Sequence, residues 1–135
     1  MKLIVCIDEK GGMLFNGRRQ SSDSMVIKRI FEFTEPHIIW MKQYSQMLFN
    51  DHTRTRIDDD CLAKADSQDY CFLEDEDPIT FFADVEEIVI FCWNRLYPAD
   101  LFFPVNLVKE EWGLAYTEEF AGSSHDRITM EVYRP

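Results

Sequence analysis

Asp23 stands directly before a segment in which Val26, Ile27, Ile30 and Phe31 recur at helical spacing. A carboxyl group there can cap the helix by accepting a first-turn N–H. It can instead donate a proton to a substrate, provided an apolar cleft raises its pKa. Arg18 and Arg19, just upstream, offer guanidinium groups that suit bidentate contact with a carboxylate or phosphate of an anionic ligand. Trp40 and Tyr44 flank Lys42, and two aromatic rings at a cleft can stack a flat heterocycle, although both would serve equally well as core.

Other chemically suggestive runs have plainer readings. Asp58, Asp59 and Asp60 carry the oxygens that Mg²⁺ or Ca²⁺ would take, but consecutive side chains point apart and no EF-hand spacing follows, so a solvated acidic turn is expected. Ser123, Ser124, His125 and Asp126 include the residue types of a nucleophile triad. Neighbours on a short loop do not readily converge on one reacting atom, so a hairpin turn is the better reading. Cys6, Cys61, Cys71 and Cys92 lack C-x-x-C spacing, and Cys6 and Cys92 sit in apolar runs, which suits reduced core thiols. No metal site is expected.

The elements that must position these groups follow from the apolar pattern. A chain of 135 residues with 46% hydrophobic and 14% aromatic residues is expected to form one domain, residues 1–135, with one core. Leu3 to Ile7, Ile38 to Met41 and Ile88 to Trp93 are short continuous apolar runs of the kind buried strands show. A flexible loop is expected from Asp8 through Asn16-Gly17 to Ser22, then a helix capped by Ser22 or Asp23 and stopped by Pro36. Tyr44, Met47 and Leu48 predict the apolar stripe of a second helix. Between residues 51 and 84 only short strands near Arg56 and at Tyr70 to Phe72, and a helical turn at Ile79 to Phe82, are legible. Ile128, Met130 and Val132 alternate with polar neighbours, and Trp112 to Thr117 should pair with them across a loop at Ala121 to Ser124. The order predicts an α/β domain: a mixed, mostly parallel sheet with helices on both faces and a C-terminal antiparallel hairpin.

Charge narrows the partners. The net charge of −11 arises wholly in residues 58–87, which hold twelve acids and one base, while the other 105 residues carry thirteen of each. A local negative field with no basic stretch opposes a nucleic-acid partner. The run Leu3 to Ile7 is too short for a secretory signal and nothing approaches a membrane span, so a cytoplasmic protein is expected.

Four stretches, LIVCIDEKGGMLFNGRRQSSD, PHIIWMKQYSQM, IVIFCWNRLYPADLFFPVNLVKEEWGLAYTEEF and ITMEVYR, resemble dihydrofolate reductase in the same order, over about three quarters of the chain. Ala99 to Pro104 is similar to that family's G-D-T-x-F-P stretch. The resemblance, to a shortened and divergent bacterial member, implies a three-layer domain built on an eight-stranded type of sheet. It also implies a cleft between the first strand, the following loop and the first two helices. It sets Asp23 one position from the family's proton-donating acid. The family's tryptophan and leucine-proline before that acid are replaced by Arg19, Gln20, Ser21 and Ser22, and its G-R-K-T cofactor motif by Trp40, Met41, Lys42 and Gln43, of which only Lys42 matches. The glycine pair that receives the pyrophosphate has no counterpart, and tryptophan in a glycine position would crowd a phosphate. These departures lead to the expectation of a protein without NADPH, binding a small heterocyclic ligand or a protein partner, with a homodimer allowed. The alternative is a divergent NAD(P)H-dependent reductase of a pterin or related heterocycle with Asp23 as proton donor. A ribonuclease Z activity is excluded, since His37, His52 and His125 are single and scattered where two zinc ions need H-x-H-x-D-H.

Overall fold

A strand covered on both faces must be apolar, and β1 (Lys2–Ile7) meets that demand from Leu3 onward at the middle of the main sheet. The computed structural model describes residues 1–135. After β1 come β2 (Gly12–Phe15), β3 (Arg18–Arg19), α1 (Ser24–Thr34), β4 (Ile39–Met41) and a 3₁₀ turn at Gln43–Leu48. Then follow β5 (Thr55–Ile57), α2 (Cys61–Lys64), β6 (Tyr70–Leu73), a 3₁₀ turn at Ile79–Asp84 and β7 (Glu87–Cys92). The chain closes with β8 (Leu101–Phe102), α3 (Val105–Glu111), β9 (Gly113–Phe120) and β10 (Ile128–Arg134).

Seven strands form the main sheet in the order β5-β4-β6-β1-β7-β10-β9, and β3-β2-β8 form a small second sheet. The five strands from β5 to β7 are parallel, whereas β10 runs antiparallel to β7 and β9 antiparallel to β10. Side-chain alternation splits the core in two. Leu3, Val5, Cys71, Leu73, Ile88 and Ile90 face α3 and Phe103, while Ile4, Phe72, Val89 and Phe91 face Val26 and Ile30 of α1. The C-terminal hairpin and the mixed, mostly parallel sheet agree with the sequence reading, as do β5, β6 and the turn at Ile79–Asp84. The main sheet has seven strands where the resemblance implied an eight-stranded type, in keeping with the shortened middle of the chain.

Two expectations are corrected. The segment from Asp8 to Ser22 is not a flexible loop, because Asn16 (φ 50°) and Gly17 (φ 71°) make the two-residue hairpin turn that joins β2 to β3. No second α-helix forms at residues 43–48. The single 3₁₀ turn there buries Ser45, whose hydroxyl donates to Glu74 at 2.7 Å, and leaves Met47 94% exposed. The segment after Pro98 contains β8 and α3, with Pro104 at the helix start, where its missing N–H costs nothing.

Candidate functional site

In open parallel sheets, ligands approach the carboxyl ends of the strands. Here those ends carry Asp8 after β1, Lys42 after β4, Glu74 to Asp77 after β6 and Trp93 after β7. Asp8 is structural: its buried carboxylate accepts N–H bonds from Lys10 and Gly12 at 2.8 Å and from Tyr97 at 3.3 Å, and a further bond from the Gln20 amide at 2.9 Å.

The candidate ligand residues are drawn into ion pairs with the acidic segment. Arg19 grips buried Glu74 bidentately, Nε to Oε2 at 2.8 Å and Nη2 to Oε1 at 2.9 Å, and its guanidinium lies 4.5 Å over the Tyr44 ring. The Glu74 hydrogen bond raises the Arg19 pKa. Lys42 lies 3.2 Å from Asp75 and 3.0 Å from Glu76; burial works against its charge, but the bonds to Glu76 and Asp75 prevail and raise its pKa. Trp40 donates its indole N–H to Asp69 at 2.9 Å and packs against the α3-side core, so it is a core residue, away from Tyr44's contacts. Arg18 is exposed at the β3 end and, with Arg19, Phe15, Gln20, Tyr97 and Pro98, lines an open, polar cavity of about 450 Å³. The structure thus brings Arg18 and Arg19 to one cavity, sets Tyr44 behind Arg19, and separates Trp40. The three acidic-turn residues diverge as expected: Asp58 pairs with Lys64 at 2.6 Å while Asp59 accepts the Gln43 N–H at 2.9 Å.

Asp23 caps α1 by accepting the Met25 N–H at 2.9 Å, and its side chain is completely shielded from solvent. It also accepts the backbone N–H groups of Ser123 and Ser124, each at 2.9 Å, and a 2.9 Å bond from His125 Nδ1. Burial works to raise its pKa, but the donors from Ser123, His125, Ser124 and Met25 outweigh it and hold the carboxyl well below the usual range. An ionised acceptor holds an imidazole proton on Nδ1, so that in the neutral ring Nε2 is the acceptor. Nε2 faces Ser21 Oγ at 3.0 Å and Tyr97 Oη at 3.1 Å, and Trp93 stacks on the ring at 4.6 Å and 19°. Gly122 lets the loop descend, since a Cβ there would run into Asp23 Oδ2 and lie 2.8 Å from the His125 carbonyl.

Ser21, Tyr97 and Trp93 are site residues that sequence reasoning passes over, and it sets His125 aside as part of a hairpin turn. Ser123 to Asp126 do form a hairpin turn, but its Ser123, Ser124 and His125 gather on Asp23, a hundred positions away, while Asp126 stays exposed. The one available signal was topological. A C-terminal hairpin beside β7 brings its loop over the start of the first helix.

The architecture is that of an open α/β sheet with an antiparallel C-terminal hairpin and a polar cluster at the first helix start. More particularly, it is the dihydrofolate reductase fold. The chain is similar to dihydrofolate reductase from Enterococcus faecalis, in a structure complexed with NADP(H) and RAB-propyl, with a TM-score of 0.64 and 14% identity. That match covers 98% of this chain and 94% of that one. No protein-family profile and no curated protein matches the sequence. No helix is long and apolar enough to cross a membrane.

Proposed function

We propose that this chain is a dihydrofolate reductase-like binding protein without NADPH-dependent reduction. In this reading it takes a small heterocycle bearing a negative charge in the cavity beside Arg18 and Tyr97. The observation that carries this reading is the state of the strand ends: Lys42 is already neutralised by Asp75 and Glu76, and Arg19 by Glu74. A phosphate brought to about 6 Å from one of these carboxylates would meet roughly 3 kcal/mol of repulsion at an effective dielectric near 20, before screening. A nucleotide phosphate therefore finds no free cation at Lys42 or Arg19. The reading of Asp23 as proton donor is opposed by its shielding and by the six hydrogen bonds that its carboxylate accepts. Arg18, by contrast, has no ion pair and stays free for a ligand carboxylate or phosphate.

Calorimetric titration with NADPH to millimolar concentration tests the first half, with no saturable heat expected. Thermal shift with pterins, nucleotides and small anions tests the second. A saturable rise is expected that Arg18→Ala abolishes. NADPH oxidation driven by dihydrofolate would overturn the reading.

One feature favours a protein partner in addition, namely a second copy of this chain. The eight-residue strand β9 is an edge of the main sheet and exposes Leu114 and Tyr116, and such an edge invites strand addition. Sedimentation over a concentration series would detect the dimer, and a monomer at all concentrations would remove it.

A further inference from the structure

Ser21, Asp23 and His125 meet in an order of contacts that a fastening alone does not need. Holding the hairpin loop to α1 takes only the Asp23 carboxylate and its donors from the loop. Yet the far edge of the imidazole is aimed at a hydroxyl, with Nε2 3.0 Å from Ser21 Oγ while Nδ1 is 2.9 Å from Asp23 Oδ2. Burial follows the same order: the side chains of Asp23 and His125 are 0% and 2% exposed, whereas Ser21 is partly open to solvent. We propose that these residues form a serine nucleophile, a general base and its orienting acid, and that the protein hydrolyses small esters at Ser21. A buried acid fixing the tautomer of a base whose other nitrogen reaches a hydroxyl is the constellation that activates serine on unrelated folds.

The chemistry balances with water as the only co-reactant. Ser21 Oγ bonds to the ester carbonyl carbon as its proton passes to His125 Nε2. The tetrahedral intermediate expels the alcohol, which takes that proton, and leaves Ser21 acylated. Water then attacks the acyl carbon, giving its proton to Nε2; the acyl–Oγ bond breaks, the carboxylic acid departs and Ser21 recovers its proton. Backbone N–H groups of Ser21 and Ser22 donate to nothing in the protein and are the donors available to the developing oxyanion. Tyr97 touches Nε2 at 3.1 Å and also lines the Arg18 cavity, which sets that cavity beside the nucleophile. Esters carrying a negative charge are therefore the preferred substrates. This preference rests on the ligand cavity proposed above, whereas the nucleophile does not.

A fluorophosphonate probe and 4-nitrophenyl acetate test the nucleophile. The intact protein should be labelled at Ser21, as peptide mapping shows, and should release a burst of one 4-nitrophenol per chain. Ser21→Ala should lose the label and at least about 100-fold in rate, the scale of general-base activation, with an unchanged circular dichroism spectrum. An unlabelled wild-type protein, or a label or rate that persists in Ser21→Ala, would overturn the proposal. Mono-4-nitrophenyl adipate tests the cavity separately. Its kcat/KM should exceed that of the acetate by at least about tenfold at low salt and approach it at 1 M salt, where the screening length is about 3 Å. Hydrolysis of both esters at equal kcat/KM would refute the charge preference and leave Ser21 chemistry standing.

Discussion

Replacing Asp23 by alanine should be among the most damaging single changes available in this chain, and the structure says by how much. The substitution removes the α1 cap, worth about 1 kcal/mol. It leaves the Ser123 and Ser124 N–H groups and the His125 Nδ1–H without their acceptor, each loss costing about 1 kcal/mol. The sum is about 4 kcal/mol, and at roughly 3 °C per kcal/mol for a domain of this size the melting temperature should fall by about 12 °C. A pH dependence accompanies it. The folded-state pKa of Asp23 lies below its unfolded value of about 3.9, so its contribution is complete above that value and drains away as pH falls toward the folded pKa. Asp23→Asn removes this titration, so the stability gap between wild type and Asp23→Asn should shrink below about pH 4. Urea unfolding followed by circular dichroism at each pH measures the gap. A melting temperature for Asp23→Ala within about 3 °C of wild type, or a gap that does not close in acid, would refute the reasoning.

Gly122→Ala should lower stability by about 1–3 kcal/mol, the range for forced overpacking, because its Cβ meets Asp23 Oδ2 and the His125 carbonyl; thermal melts check it. Arg19→Ala leaves Glu74 buried with Ser45 Oγ as its remaining hydrogen-bond donor and should cost about 2–4 kcal/mol. The Arg19→Ala, Glu74→Gln double variant should be more stable than Arg19→Ala alone, which urea denaturation of the cycle will show. Burial pushes the Cys92 thiol up to about 12 and Cys6 well above its ordinary value. Cys61 and Cys71 are fully buried, so Ellman's reagent at pH 8 should react slowly with the native protein and promptly with four thiols in denaturant.

The sequence disclosed those parts of the fold whose cause is local. Continuous apolar runs marked β1, β4 and β7, alternation marked β10, and an acid before helical spacing marked the start of α1. The small sheet escaped because β3 and β8 have two residues each, too few for any period, although Asn16-Gly17 carried the turn chemistry that builds it. The helix expected at residues 43–48 failed for the opposite reason. Three apolar residues satisfied a helical spacing, but Glu74, brought in from the end of β6, draws Ser45 inward and turns Met47 out.

The site shows the same division at closer range. Lys42 follows β4 and Arg19 lies on β3 of the small sheet, and from the sequence each qualifies as a ligand contact. The pairing of β4 with β6 brings Asp75 and Glu76 to Lys42, and the approach of the small sheet to the end of β6 brings Glu74 to Arg19; no local pattern states either. Asp23 is the stronger case. The same carboxylate at the same helix start would be raised in pKa by an open apolar cleft and is lowered here by a loop of polar donors, so its chemistry belongs to whatever covers it. Gly122 is the residue that permits the covering, and Trp93 and Asp23 together hold His125 with Nε2 toward Ser21. In the proposed triad, proton handling would therefore pass from the acid at the helix cap to the imidazole that the acid orients.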